Sequence, residues 1–265
     1  MTSGSRLLLW PNMTQLPLKG ETTMLNDVQN KFRELRLKHC FENIETLLVQ
    51  AKEKNLSTLQ VVDRLLAIEI EQRHSAKIKR LFRQSKLLEQ PTIDQFDFSF
   101  HASRKKQKTL ILNLLDLDFI KQKKDIIFIG NPGVGKSMLA KTIAYAATQA
   151  GIKALFTSAM DMINQLNEAQ DGHSLIKKLK TYQSPDLLIC DEIGYLPLGQ
   201  QGSNLFFQII SARHEQKSTI ITTNLPFAQW GSIFDSTTVA TAIADRLVYN
   251  SEILIMEGES YRKRS

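Results

Sequence analysis

The sequence predicts an α/β domain built on a parallel sheet, preceded by a small all-α module. Between residues 126 and 256, short apolar runs alternate with helical patterns, which favours parallel strands covered by helices on both faces. Between residues 26 and 50, apolar side chains recur at helical spacing without any glycine or proline. The chain has 265 residues, of which 42% are hydrophobic, enough for one such domain with a substantial core and a smaller module.

The first segment, residues 1–23, is expected to be a poorly ordered leader, and Met24 is an alternative natural start. The apolar patch of this segment is too short for a secretory signal. No apolar run approaches the roughly 18 residues that would indicate a membrane span, so we expect no membrane partner. Cys40 and Cys190 lack metal-ligand spacing, which favours a reducing cytoplasm, and Cys190 is expected in the core.

The helical module is predicted to cover residues 24–90. Its first part, residues 26–50, indicates one amphipathic helix or two helices joined near His39. Ser57 is a typical N-cap residue, so a second long helix is expected to begin after it and to continue to about Leu88.

The positive charge of the chain is concentrated in its N-terminal part. Residues 24–125 contain 20 Lys and Arg against 14 Asp and Glu, whereas residues 126–265 contain 12 of each. One stretch of the second long helix carries six basic residues and no acid: Arg73, Lys77, Lys79, Arg80, Arg83 and Lys86. This stretch is either a solvated helix face or a contact for an acidic partner such as a phosphate backbone.

The α/β domain is predicted at residues 110–265, after a linker at 91–109 that contains aromatic residues and a basic cluster. A helix is expected at 110–117, before the first strand. The strands are predicted at 126–130, 152–157, 186–190, 218–222 and 252–256. The helices between them are predicted at 137–150, within 159–183, at 202–216 and near 239–246.

The stretch IIFIGNPGVGKSMLAKTIA, residues 126–144, contains the P-loop pattern G-x-x-x-x-G-K-[ST]. Its glycines let the backbone curl around a phosphate, and the N–H groups of the following helix also point at the anion. Lys136 is expected to reach the β- and γ-phosphates, and the Ser137 hydroxyl to ligate Mg²⁺. The candidate ATP-binding residues are Gly130, Asn131, Pro132, Gly133, Val134, Gly135, Lys136, Ser137 and Met138.

Polar residues also end two later strands. Asp191 and Glu192 close the apolar run DLLICDE, so Asp191 is expected beside the P-loop as a Mg²⁺ ligand, and Glu192 is expected to polarise the attacking water. Asn224 closes the run STIITTN, where it either contacts the γ-phosphate or the water, or is an ordinary turn residue.

Several motifs in order resemble the IstB-like family, whose members are AAA+ ATPases of insertion sequences, similar to the helicase loader DnaC. They are the P-loop, DLLICDEIGYLPL, ISARHE, TTNLPFAQW, AIADRLV and GESYRKR, together with LAIEIEQR and FDFSF in the N-terminal part. The resemblance covers about residues 25–265. Two departures, NPGVGKS for PPGTGKT and TTN for TSN, remove no chemical group that the site needs.

The resemblance implies further roles, which the residues alone do not indicate. Asn224 matches sensor 1, Arg246 of ADRL matches an arginine finger that acts on a neighbouring subunit's ATP, and Arg262 of GESYR matches the sensor 2 arginine. Arg213 of SARHE is a further candidate interface arginine. The helices within 159–183 match an element that faces DNA in related proteins, where HSLIKKLKTY offers the lysines Lys177, Lys178 and Lys180.

Together these features predict an AAA+ P-loop ATPase domain that binds ATP and Mg²⁺. The implied function is ATP-dependent assembly of a homo-oligomer on double-stranded DNA, in support of the transposase of the same insertion sequence. A DnaC-like helicase loader shares these motifs and stays open as an alternative. A small-molecule kinase is a remote alternative, because no arginine cluster typical of a phosphate-clamping lid follows the fourth strand. A scaffold that binds nucleotide without hydrolysis would need a damaged Lys136 or Glu192, and both are intact.

Overall fold

The structure, a computed structural model, describes the backbone of residues 19–261 and the side chains of residues 23–261. Residues 1–18 of the expected leader therefore lie outside the described residues. The chain divides into two compact units, one up to Ser75 and one from Ala76. The boundary lies within one long helix. No helix in the described part of the chain is long and apolar enough to cross a membrane.

The first unit consists of helices α1 (Lys19–Glu34) and α2 (Lys38–Glu53) and the first part of α3 (Thr58–Gln84). Two helices thus cover the stretch predicted as one or two, and α1 begins inside the segment expected as a leader. The N-cap prediction for Ser57 is confirmed. The Gln60 N–H donates to Ser57 Oγ at 3.3 Å, and the Ser57 N–H donates to Gln60 Oε1 at 2.8 Å, which forms a reciprocal capping box.

A small core holds these three helices together. Its buried residues are Cys40, Ile44, Leu47 and Leu65. Buried Glu69 of α3 accepts the N–H groups of His39 and Cys40 at 2.7 and 3.0 Å, and so caps the start of α2 from a neighbouring helix. Burial alone would raise the pKa of Glu69, but these N–H groups and the Arg73 guanidinium outweigh burial and lower that pKa.

The second unit alternates strands and helices, as predicted. A 3-10 turn at Ile93–Gln95 precedes α4 (Ala102–Leu114) and α5 (Asp118–Lys121). The strands are β1 (Asp125–Gly130), β2 (Ala154–Ser158), β3 (Leu187–Ile193), β4 (Ser218–Thr223) and β5 (Ser251–Met256). The other helices are α6 (Lys136–Gln149), α7 (Ala159–Asp171), α8 (Leu175–Gln183), α9 (Gly199–Arg213) and α10 (Thr237–Tyr249). A second 3-10 turn lies at Phe227–Ser232.

The five strands form one parallel sheet in the order β2-β3-β4-β1-β5, which confirms the predicted fold class. Successive residues of each strand point to opposite faces. Ile127, Cys190 and Ile221 pack in one core with α7, α8, α9 and α10, and Cys190 is the buried core residue expected. Ile126 and Phe128 pack in the second core with α4 and α6. The sheet therefore lies between two helical layers.

The predicted linker at 91–109 was wrong at its C-terminal end. Helix α4 begins at Ala102, eight residues before the expected helix start at Leu110. His101 caps it, because its Nδ1 accepts the Ser103 N–H at 3.1 Å. The short helix α5 was not predicted. Its N-cap residue, Leu117, has a φ of +61°, a conformation that the sequence does not signal.

Candidate active site

The carboxyl ends of β1, β3 and β4 bring the predicted site residues to one edge of the sheet, where ligands bind in open α/β folds. The P-loop connects β1 to α6 and lines a cavity there. Gly135 has a φ of +101°, and a Cβ on it would lie 2.6 Å from a ring carbon of Phe96. This glycine is therefore required both by the turn and by the close approach of an aromatic ring.

Lys136 begins α6 and is largely buried. Its Nζ donates to the carbonyls of Gly130 at 2.7 Å and of Asn131 at 2.9 Å, so the ammonium lies inside the curl of the loop. Pro132, Gly133 and Met138 line the cavity, whereas Val134 is buried beneath the loop. The arrangement concentrates positive charge and backbone N–H groups where a phosphate chain would bind.

Ser137 and Asp191 face each other beside this loop. Ser137 Oγ donates to Asp191 Oδ1 at 2.9 Å, and the Thr222 hydroxyl of β4 also donates to that carboxylate oxygen. Asp191 is buried at the carboxyl end of β3, where its partner on β2 is Ser158. A hydroxyl and a carboxylate so close together present oxygen ligands of the kind that Mg²⁺ prefers.

Glu192 leaves the strand in an unusual conformation. Its φ is +61°, and the pairing of β3 with β4 shifts register between Cys190 and Ile193. The Glu192 N–H donates to Thr222 Oγ1 at 2.9 Å, while its side chain is exposed in the cavity between two buried neighbours. The bulge therefore directs the Glu192 side chain toward the cavity. In a regular strand this side chain would not point there.

Asn224 follows β4 and lines the same cavity. Its Oδ1 is buried and forms no hydrogen bond within the described part of the chain. Buried amide oxygens are nearly always paired, so this atom is a candidate contact for a group that enters the cavity. The structure thus brings Lys136, Ser137, Asp191, Glu192 and Asn224 into one site.

Sequence reasoning missed several further residues that line this cavity, among them Phe96, Arg104, Thr222 and Tyr261. Phe96 and Arg104 come from the stretch predicted as a linker, and Tyr261 comes from the C-terminal segment. Thr222 lies on β4, two residues before Asn224, so the period of two along an extended chain could have indicated it. No comparable signal marks Arg104, which looks like part of the exposed basic run RKK.

The three arginines proposed for the site or its subunit interface have different positions. Arg246 of α10 is half-buried, donates to its own helix at the Ala242 carbonyl at 2.8 Å and stacks over the Phe207 ring at 4.7 Å, outside the cavity. Arg262 lies outside the described residues. The interface expectation for Arg213 was wrong, because this side chain is fully buried in the fold.

Arg213 instead joins the α8–β3 connection to β4. Its guanidinium donates to the carbonyls of Tyr182 at 3.1 Å and Pro185 at 2.9 Å, and its Nε donates to Thr219 Oγ1 at 3.1 Å. Burial lowers its pKa to about 10. An arginine held in this way stabilises the subunit from within and cannot reach a neighbour.

The three lysines proposed for DNA contact lie on α8 but are not equivalent. Lys177 and Lys180 are exposed, whereas Lys178 is half-buried and its Nζ donates to Gln165 Oε1 of α7 at 2.7 Å. Exposed Ile176 lies beside them. The helix therefore offers two lysines to a partner, while the third also ties α8 to α7.

Comparisons with known proteins show the family of this chain. The family model described as IstB-like ATP binding protein matches residues 30–265. The ATP-binding protein of insertion sequence IS5376 from Geobacillus stearothermophilus is 39% identical over 230 residues, which cover 87% of this chain and 91% of that protein. Its counterpart in IS21 from Pseudomonas aeruginosa is 34% identical, over 90% of this chain and 89% of that protein.

Solved structures give the same fold. The DnaC helicase loader matches with a TM-score of 0.55 and 27% identity, over 63% of this chain and 96% of that chain. The replication initiator DnaA bound to AMPPCP and single-stranded DNA matches with a TM-score of 0.56 and 18% identity, over 66% of this chain and 52% of that chain, a likeness of fold alone. With the family model matching most of its length, the chain belongs to the IstB-like ATP binding protein family.

Proposed function

We propose that this protein hydrolyses ATP and uses the nucleotide to assemble on double-stranded DNA, where it assists the transposase of its insertion sequence. The observation that carries the proposal is the meeting of Lys136, Ser137, Asp191, Glu192 and Asn224 at one edge of the sheet. A cation, two Mg²⁺-type oxygen ligands, an exposed carboxylate and an unpaired amide oxygen are the parts that phosphoryl transfer to water needs.

The residues present fit both ATP and Mg²⁺. Ser137 and Asp191 would hold the metal. The described residues contain no cluster of three or more His, Cys, Asp or Glu ligands. Phosphate and water oxygens would complete the coordination shell, as is usual for Mg²⁺. Bound Mg²⁺ would neutralise charge on the phosphates. Lys136 attracts the phosphate chain, Glu192 polarises the attacking water, and Asn224 orients that water or the γ-phosphate.

The proposed DNA and transposase partners rest on family context and on charge. The relatives belong to insertion sequences, which favours a transposase as the protein partner. In this chain, Lys177 and Lys180 are exposed on α8, as are Lys77, Lys79, Arg80 and Arg83 on α3. One-signed charge of this kind binds phosphate backbones without reading sequence.

In the assembly, we assign Arg246 to the ATP of a neighbouring subunit and Arg262 to the ATP of its own subunit. Arg246 lies outside the cavity of its own chain, as a residue acting in trans would. The helicase-loader alternative is supported by the 27% identity to DnaC. Pull-downs of the purified protein with the adjacent transposase and with a replicative helicase would separate the two, because only the true partner should be retained.

Two substitutions test the hydrolytic site itself. Lys136→Ala should abolish ATP binding, since it removes the phosphate cation. Glu192→Gln should keep ATP affinity but slow turnover by roughly 100-fold or more, because the water loses its base. Isothermal titration and steady-state phosphate release measure the two effects. Equal loss of affinity in both variants would contradict the role given to Glu192.

A further inference from the structure

Arg104 is a buried cation that forms no ion pair with any of the described carboxylates. Its side chain, on α4, is only 4% exposed, and no Asp or Glu within residues 23–261 forms an ion pair with it. Three aromatic rings surround the guanidinium instead. The distance from its Cζ to the ring centroid is 4.5 Å for Phe96, 4.8 Å for Phe100 and 5.5 Å for Tyr261. Burial lowers the pKa of Arg104, while Asp97 and Tyr261 oppose that shift. An arginine kept in such surroundings needs strong polar contacts.

Those contacts are two backbone carbonyls. Arg104 Nη1 donates to the Asp97 carbonyl at 3.0 Å, and Nη2 donates to the Val134 carbonyl inside the P-loop at 2.8 Å. One planar fork therefore joins the segment before α4 to the P-loop. Lysine could not reproduce this contact, because its single ammonium lacks the fixed, flat arrangement of donors.

A second anchor holds the preceding carbonyl of the loop. The Tyr261 N–H donates to the Gly133 carbonyl at 3.0 Å. The chain has no cis peptide bonds among its described residues, and a trans peptide points its N–H opposite to its carbonyl. With the carbonyls of Gly133 and Val134 held by these donors, the N–H groups of Val134 and Gly135 face away from Arg104 and Tyr261.

We propose that Arg104 is a positioning residue that keeps the P-loop in its anion-binding shape. It fixes the peptide between Val134 and Gly135 from outside the loop, so that the loop meets a phosphate chain with its N–H groups already oriented. The inference rests on the proposed function, since it assumes that the loop binds the phosphates of ATP. It assigns to the aromatic and basic segment before β1 a part in nucleotide binding.

The test compares Arg104→Lys with Lys105→Ala, a substitution of the exposed neighbour on the same helix. ATP, and inorganic tripolyphosphate as a ligand without a base, are titrated into each folded protein well below its unfolding temperature. Loss of the charged hydrogen bonds should weaken both ligands about tenfold or more in Arg104→Lys. Lys105→Ala should bind both like the parent protein.

Three results would overturn the proposal. Parent-like affinity of Arg104→Lys for both ligands would show that the arginine serves only the fold. Weaker ATP binding with unchanged tripolyphosphate binding would assign Arg104 to the base rather than to the loop. Equal weakening by Lys105→Ala would assign the effect to general positive charge. If the parent protein itself binds neither ligand, the proposed function fails instead.

A milder variant keeps the test decisive if Arg104→Lys does not fold. Phe100→Leu removes the ring 4.8 Å from the guanidinium but leaves an apolar side chain. It should loosen the arginine and weaken both ligands in the same direction by a smaller factor, a few-fold on the scale of one cation–π contact. Unchanged affinity of Phe100→Leu for both ligands would then overturn the proposal.

Discussion

At the scale of single residues, a buried acid at the start of β1 should make the stability of the second unit depend on pH. Asp125 Oδ1 accepts the Thr219 N–H at 2.6 Å, and the Nε of Arg213 donates to the Oγ1 of the same threonine at 3.1 Å. Burial raises the pKa of Asp125 to about 7, although the Thr219 N–H and Arg213 act against that rise. The unfolded chain has the ordinary aspartate pKa of about 4, so the two states bind protons differently between these values.

The first residue-scale prediction follows from this difference. Because the folded pKa of Asp125 is raised, its contribution to stability is fully present below pH 4 and is lost as pH rises toward 7. Asp125→Asn keeps the acceptor for Thr219 but cannot titrate. Urea unfolding from pH 4 to 8 should therefore show a free energy of unfolding that falls less with pH in the variant, by up to a few kcal/mol. Asp171→Asn, at an exposed position, is the control, and parallel pH profiles for parent and Asp125→Asn would contradict the assignment.

At the scale of elements, α4 shows where sequence periodicity fails. Its buried residues are Arg104, Ile111 and Leu114. Only the last two are apolar, so the apolar pattern of a helix becomes visible near Leu110. The first two turns of α4 therefore look like a basic linker in the sequence. The aromatic rings around Arg104 come from residues before and far after it, which no local pattern reveals. The N-cap of α3, by contrast, needed only Ser57 and the helical residues that follow it.

That N-cap gives an element-scale prediction. Ser57→Ala removes the acceptor of the capping box and should destabilise the first unit by about 1 kcal/mol. Ser57→Asp retains an acceptor at the same position and should restore stability. Urea unfolding followed by circular dichroism at 222 nm measures both variants. An equal loss in Ala and Asp variants would show that the capping hydrogen bond contributes nothing.

Helix α8 carries the second element-scale prediction. If this helix binds DNA through its exposed lysines, Lys177→Ala combined with Lys180→Ala should reduce the slope of log K against log salt by about 2. Lys178→Ala should change the slope much less, because its ammonium already bonds to Gln165. Fluorescence anisotropy with duplex DNA across a salt series gives the slopes. An unchanged slope in the double variant would show that the exposed lysines of α8 face solvent and do not bind DNA.

At the scale of the whole molecule, alternation of strands and helices was enough to predict a parallel sheet, but not the order of its strands. The order β2-β3-β4-β1-β5 depends on pairings between distant segments, such as Ile127 with Ile221. Lys136 and Asp191 were predictable as site residues, because phosphate binding requires a cation and metal binding requires a carboxylate after a strand. The bulge that presents Glu192 was not predictable from the sequence, since it arises from the register of β3 against β4.

Assembly provides the whole-molecule prediction. Arg246→Ala should bind ATP as a monomer but lose turnover and ATP-dependent assembly on DNA, with a loss on the order of 10³-fold for a finger acting in trans. Mixing Arg246→Ala with Lys136→Ala protein should partly restore ATPase activity, because some interfaces then pair an intact P-loop with an intact arginine. Phosphate release and sedimentation measure both properties. A mixture that co-assembles yet stays inactive would show that Arg246 does not act across the interface.

The left-handed backbone at Glu192 has a consequence for any selection applied to this protein. For a residue with a Cβ, adopting that conformation costs roughly 1–2 kcal/mol of folding free energy, whereas glycine adopts it freely. Variants recovered from a screen for heat resistance alone should therefore accumulate glycine or asparagine at position 192. Such proteins would outlast the parent in a thermal challenge while having lost the carboxylate proposed to polarise water. At this position thermal stability and ATP turnover favour different residues. A screen must therefore select for both properties if ATPase activity is to be retained.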